Sequence, residues 1–536
     1  ETFHRRYVLG NLTHDRAKRV QQMTQLATGA TETAGRARDE QVFWTLSDRL
    51  QSALGVDRVS RFRSNRGENL IVIDGSEIID RMDPQQHAML AKVLALMEDF
   101  AKYKDAPANQ TEQQARRIID SFATKAWRRQ VNDKDLQKLF ELYKQERARG
   151  ATFENAMQQP LVATLLSPRF LYRFVASKGT AEPYALSSRE LAERLSFMLW
   201  GSLPDEELLD VAADGRLQEP DVMREQVQRM IQDERFEGFI EQFAAHWLGF
   251  ADYEVKADPD QEKYSFFSAE LKRDLQREVV QFLRNLFQEN GSLLSLLDAQ
   301  HSFLNERLAK FYGVSGVDGE AFRKVVLPAD SNRGGLLGMA AFHAMTSTPL
   351  RTSPVHRGLW VYQVLLGKPV PEPPPNVPQL SDDEVSEEGL TVAQQLRKHR
   401  QDPTCYSCHD RFDPLGIALE NFDPVGRWRS EVAPGKPVDS VGVYRDGGQI
   451  QGMAGLRQAV LAEKEAFVDN FARKLIGYGL SRGYLLSDQP LHDEIRQLLA
   501  ENDFRPLPAI LAIVNSDQFR TRRDAGAVES DVSAAR

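Results

Sequence analysis

Residues 405–429 read CYSCHDRFDPLGIALENFDPVGRWR, and the first five of them govern how the whole chain is read. Cys405 and Cys408 are the only two cysteines in 536 residues, and His409 follows directly. Cys-x-x-Cys serves redox dithiols and zinc sites, and when His comes next it is the attachment signature of c-type haem. Zinc would need two more strong ligands, and there is no second cysteine pair to supply them. A thioredoxin-like dithiol belongs at a strand-to-helix junction. This pair instead follows a polar helical stretch and precedes Asp413-Pro414 and Asp423-Pro424, both expected to form turns. The reading that remains is one covalent haem c, held by thioethers to Cys405 and Cys408, with His409 as an iron ligand.

An electron carrier needs a second strong ligand, whereas a peroxidase or oxygenase leaves that position open. Met453 lies 44 residues beyond His409, between a turn-rich stretch and the closing helices, and is the first candidate; gap-filling core packing is the competing role for a lone Met. His356 in TSPVHRG is the second, and His343 and Met345 in FHAMTSTP rank below it. His399, only six residues before Cys405, belongs to the proximal side or the surface. Arg427 and Arg429 are candidates for pairing with haem propionates, although Gly-Arg-Trp could equally anchor a turn.

Working outward, residues 391–521 form a small helical haem domain, with helices at 391–400, 453–463, 465–479, 490–501 and 507–514 and an extended region near 436–452. Upstream, VPEPPPNVP at 370–378 holds five prolines, which exclude a helix and favour an extended chain. With the acidic SDDEVSEEG it makes 370–390 a connector. Residues 106–369 read as an all-helical body, in which Ser187 and Glu190 form a capping box for a helix to Trp200. Residues 1–105 are a helical N-terminal region of unreadable role, including Glu77–Lys104, and 522–536 are a polar tail. The fold class is mostly α: a multi-helical body followed by a cytochrome c-like domain.

Composition narrows the function. With 41% apolar residues the chain can bury a large core, and a net charge of -9 with mixed signs offers no field that would attract nucleic acid. No apolar run reaches the length of a membrane span. The chain opens at Glu1 without an initiator methionine, compatible with a removed leader. Nucleotide-loop, HExxH and GxSxG patterns are absent.

Five strings occur in a distinctive order: LSPRFLYRF at 166–174, YALSSRELAERLSFMLWGSLPDEELL at 184–209, HSFLNERLAKFYG at 301–313, RTSPVHRGLWVYQVLLGKPVPEPPPNVP at 351–378 and the stretch at 405–429. From about residue 111 to 521 the chain resembles the planctomycete-type cytochrome c proteins, large bacterial proteins of consecutive domains of unknown function. The resemblance implies export to the periplasm or cell surface and a haem-attachment motif at Cys405–His409, without an assigned reaction. The expectation is therefore a single-haem electron carrier, rather than a catalyst, working with a redox partner protein outside the cytoplasm. A haem-dependent peroxidase or oxygenase is one alternative. A haem-bearing structural subunit of a membrane-associated or multi-subunit redox complex is the other.

Overall fold

The computed structural model describes residues 2–3, 59–63, 69–73, 108–171, 180, 182–328, 331–371, 383–444 and 446–523. The chain divides into two compact units, Glu1–Phe174 and Val175–Arg536. The described parts of residues 1–105 are strands rather than the expected helix: Asn69–Ile73 pairs antiparallel with Val59–Arg63 and parallel with Thr2–Phe3. The helix expected over Glu77–Lys104 lies outside the described residues, as do most of the 370–390 connector and most of the tail.

The first unit also contains α1 (Ala108–Ala126), α2 (Asp133–Ala148) and α3 (Phe153–Leu166). Ala115, Ile119 and Ala123 recur every four residues on α1 and are fully buried, as a one-sided apolar stripe requires. They meet Phe140, Tyr143 and Met157 in a small core. Asn132 starts α2 by accepting the Asp135 N–H at 2.9 Å.

In the second unit, α4 (Ser188–Trp200) carries the expected capping box: Ser187 Oγ accepts the Glu190 N–H, and Glu190 Oε2 accepts the Ser187 N–H at 2.8 Å. Further helices are α5 (Pro220–Gln232), α6 (Ala269–Gln288), α7 (Glu306–Tyr312) and α8 (Pro354–Leu359). After the connector come α9 (Val392–His399), α10 (Pro403–Ile417), α11 (Gly452–Ala462), α12 (Lys464–Gly479), α13 (Gln489–Glu501) and α14 (Pro506–Asn515). Strands are short pairs: β1 (His301–Leu304) with β2 (Arg323–Val326), and β3 (Val441–Val443) with β4 (Gln449–Gln451), both antiparallel.

One apolar cluster runs from Leu186 to Phe519 and takes residues from both sides of the connector, among them Trp360, Leu419, Leu456 and Phe471. The beginning and end of the unit meet in a two-residue antiparallel clasp, Tyr184 opposite Arg522 and Ala185 opposite Thr521. Beside it, Tyr478 on α12 donates its hydroxyl to the Met198 carbonyl of α4 at 2.8 Å. Among the described residues no helix is long and apolar enough to cross a membrane.

Candidate haem-attachment site

The two thiols and His409 stand on α10. Asp402 caps this helix, its side chain accepting the Cys405 N–H at 3.4 Å, with Pro403 in the first turn where a missing N–H costs nothing. Three residues apart, Cys405 and Cys408 share a helix face, and both are partly exposed free thiols. The expected turn at Asp413-Pro414 is not formed: both residues lie inside α10, which continues to Ile417. The cost of an interior proline is one lost N–H donor and crowding of the preceding turn. Close packing on both flanks accompanies it.

On one flank, α8 and α10 touch backbone to backbone. A Cβ on Gly358 would stand 2.1 Å from the Phe412 carbonyl oxygen, and one on Gly416 would stand 1.8 Å from that of Pro354. On another flank β3 crosses, where a Cβ on Gly442 would lie 2.1 Å from the Pro414 carbonyl oxygen. The haem-motif helix is thus held on two sides by glycines that no larger residue could replace without backbone movement.

His409 is largely buried, and its Nδ1 lies 3.0 and 3.1 Å from the two carboxylate oxygens of Asp413, one helical turn on. Asp413 has no exposed side chain. Burial raises its carboxyl above the usual range, opposed by the neighbouring His409 imidazole. The ring of His399, at the end of α9, meets the His409 ring edge-on with centroids 5.0 Å apart, and Phe412 lies 5.1 Å away. Arg400 joins α9, α10 and β3 by donating to Asp410 at 2.9 Å and to the Val443 carbonyl at 3.0 Å. His399 therefore lies beside His409.

The other named residues lie elsewhere. Met453 is buried in the main core at the start of α11, a helix packed against Ser295–Asp298 and Leu336–Gly338. His356 is exposed on α8. With about 3.6 residues per turn, position 356 falls on the side of α8 opposite Pro354 and Gly358, which face α10, so its side chain leaves the helix away from α10. His343 is buried, bonded to the Leu337 carbonyl at 2.9 Å and stacked on Phe422 at 4.1 Å. Arg427 pairs with Asp423 at 2.9 Å, lies over the Phe266 ring at 4.1 Å, and remains about half exposed. Arg429 is mostly buried, donating to Glu384 at 2.9 Å and to the Glu420 carbonyl at 3.1 Å.

Around Arg429 is a polar group that sequence reasoning missed. Arg357 is buried and donates to the carbonyls of Leu419, Phe422 and Asp423 at 3.0, 2.7 and 2.9 Å, fixing the chain just after α10. Glu420 lies 3.6 Å from both Arg357 and Arg429 and accepts from Thr352 Oγ1 at 2.8 Å. Burial raises the Glu420 carboxyl while Arg429 and Arg357 hold it down. The only signals for this were Arg357 in TSPVHRG and Glu420 in ALENFDP, neither of which reads as a pair at that separation.

The donor set suits haem c. Two reachable thiols sit one helical turn apart, and the adjacent imidazole has Nδ1 engaged by a buried carboxylate, which leaves Nε2 as the nitrogen for iron. No group of three or more His, Cys, Asp or Glu able to hold a bare metal ion occurs among the described residues.

Four family models match in succession, each described as a protein of unknown function: DUF1595 over residues 114–174, DUF1592 over 186–314, DUF1588 over 333–432 and DUF1585 over 446–519. The DUF1588 match, named PSCyt3, contains the cysteine motif. No curated protein and no solved structure matches the chain.

Proposed function

Because the chain belongs to the planctomycete-type cytochrome c family, whose domains it carries in consecutive order, we propose that it is a single-haem c-type cytochrome that passes electrons to a redox partner protein outside the cytoplasm. The observation that carries this reading is the arrangement on α10: Cys405, Cys408 and His409, with His409 Nδ1 already engaged. In attachment, each Sγ–H adds across a vinyl group, forming one C–S bond and placing the hydrogen on the other vinyl carbon, with no net oxidation. Bound haem supplies a one-electron iron couple. The chain supplies the rest. Cys405 and Cys408 fix the ring to α10, His409 offers Nε2, and the glycine contacts to α8 and β3 hold α10 in place. Arg427, half exposed, is the better placed of the two arginines to reach a propionate, since Arg429 is already committed to Glu384 and Glu420.

For the second axial position Met453 remains the first candidate and His356 the next, and each would have to move. Met453 would have to leave the core, and His356 would have to come from the far side of α8. That placement favours a second reading, an open iron that reacts with peroxide or oxygen. Optical spectra of oxidised and reduced protein, with and without carbon monoxide, decide between the two. Electron transfer predicts a low-spin iron indifferent to carbon monoxide; an adduct together with peroxide turnover supports the second reading. Intact mass should show one added haem, retained under denaturing conditions and lost in the Cys405→Ala, Cys408→Ala double variant. A bare-protein mass from a host with haem-attachment machinery would remove both readings.

A further inference from the structure

We propose that Asp413 is a positioning residue for His409: it holds the imidazole with Nδ1–H donated to its carboxylate and Nε2 turned to the iron, and so makes His409 a stronger donor than a neutral imidazole. The inference rests on the reading of Cys405, Cys408 and His409 as a haem-attachment site.

Both carboxylate oxygens of Asp413 lie within hydrogen-bonding distance of Nδ1, at 3.0 and 3.1 Å. A side chain four residues on in a helix occupies the same face, so the pair forms without distorting the backbone. Asp413 has no exposed side chain, which keeps water from competing for its oxygens. Nor can it drift, since Pro414 and Gly416, the residues that follow it, are in backbone contact with β3 and α8. Iron at Nε2 requires the ring proton to sit on Nδ1, and that proton faces a buried carboxylate.

An ordinary helical His–Asp pair would share these distances, so the electronic consequence is what distinguishes the two roles. A carboxylate draws the Nδ1 proton toward itself more strongly than a neutral carbonyl does, which leaves more electron density on Nε2 and raises ligand basicity. The electron-rich ligand stabilises ferric over ferrous iron. His409 would thereby lower the reduction potential. The pair assigns the site to the low-potential side of what its ligands would otherwise give.

The test uses full-length holoprotein with Asp413→Asn and Asp413→Glu, and reads haem content, midpoint potential and the iron–histidine stretching frequency after photolysis of the carbon monoxide adduct. Asp413→Asn should retain haem, raise the ferrous-to-ferric ratio at a fixed potential about tenfold, a shift of about 59 mV for one electron, and lower the stretching frequency. Asp413→Glu should restore part of both. An Asn variant with full haem and unchanged potential and frequency would overturn the assignment. If the variants do not fold, the unaltered protein still decides it, because a stretching frequency typical of an imidazole bonded to a neutral carbonyl overturns it and a higher one supports it. Should carbon monoxide form no adduct, the midpoint shift of the Asn variant is decisive, or, where that variant fails, the field shift of the His409 ring proton resonances. Absence of covalent haem from the unaltered protein would defeat the functional reading as well, so the two failures are told apart.

Discussion

Single residues in this protein act mainly through buried charge. Arg357 ties three carbonyls after α10 and faces Glu420. Removing one partner of such a group strands the other, which costs about 3–5 kcal/mol. Arg357→Ala should therefore lower unfolding stability in urea by that order and loosen the chain after α10, while Arg427→Ala, at a half-exposed side chain whose buried partner Asp423 keeps two backbone N–H donors, should cost only about 1 kcal/mol. Glu278 on α6 is a second case. It is buried, accepts from Ser302 and Tyr312, and burial pushes its carboxyl from 4.5 up to about 7. Between these values the folded protein binds a proton that the unfolded chain does not, so stability is complete below about pH 4.5 and falls as pH rises through about 7. The loss is on the order of 3 kcal/mol. Thermal unfolding of Glu278→Gln should lack this share of the decline between pH 5 and 8; an identical pH slope in both proteins would count against it. The cysteines and His409 could be named as a candidate site from the sequence because the chemistry proposed for them is read from spacing alone. Asp413, Arg357 and Glu420 were not, since their roles depend on burial and, for the last two, on pairing across more than 60 residues.

Elements were more legible than residues. The apolar period placed α4, α12 and α13 within a residue or two of their observed ends, because each buries one stripe. Asp413-Pro414 and Asp423-Pro424 were read alike, and the outcomes differ for a physical reason. Asp423 does form a turn, its carboxylate accepting the N–H groups of Val425 and Arg427 at 3.0 and 2.8 Å. Asp413 instead turns its carboxylate to His409, and the helix continues. The glycine contact between α8 and α10 yields a direct test. In Gly416→Ala the added methyl meets the Pro354 carbonyl, an overpacking that should cost about 3 kcal/mol or more. It should also reduce haem retention by tilting α10, measurable as stability and covalent haem content in one preparation. Equal values for both proteins would show that α8 can retreat freely.

At the scale of the whole chain, the mostly α fold stands as expected from periodicity, and among the described residues the strands form four short pairs and one three-stranded sheet. What periodicity could not reveal is which stripes face each other: the main core joins helices from both sides of the connector. Contacts of that kind are non-local, as between Tyr478 and Met198, 280 residues apart. Deleting residues 446–536 should therefore leave the rest of the second unit without a closed core, with exposed apolar surface, dye binding and aggregation in place of a cooperative transition. A truncated protein that melts cooperatively at the full-length midpoint would contradict this.

The clasp of Tyr184 and Ala185 with Thr521 and Arg522 gives the protein a timetable. A growing chain presents α4 early, but the segment that covers it is made some 300 residues later, at a pace of about 5–20 residues per second. During that interval the apolar stripe of α4, with Leu191, Leu195 and Leu199, lacks part of its cover. Only when the last helices arrive is that apolar surface covered, so the order of synthesis sets the length of time for which the unit can stick to other chains.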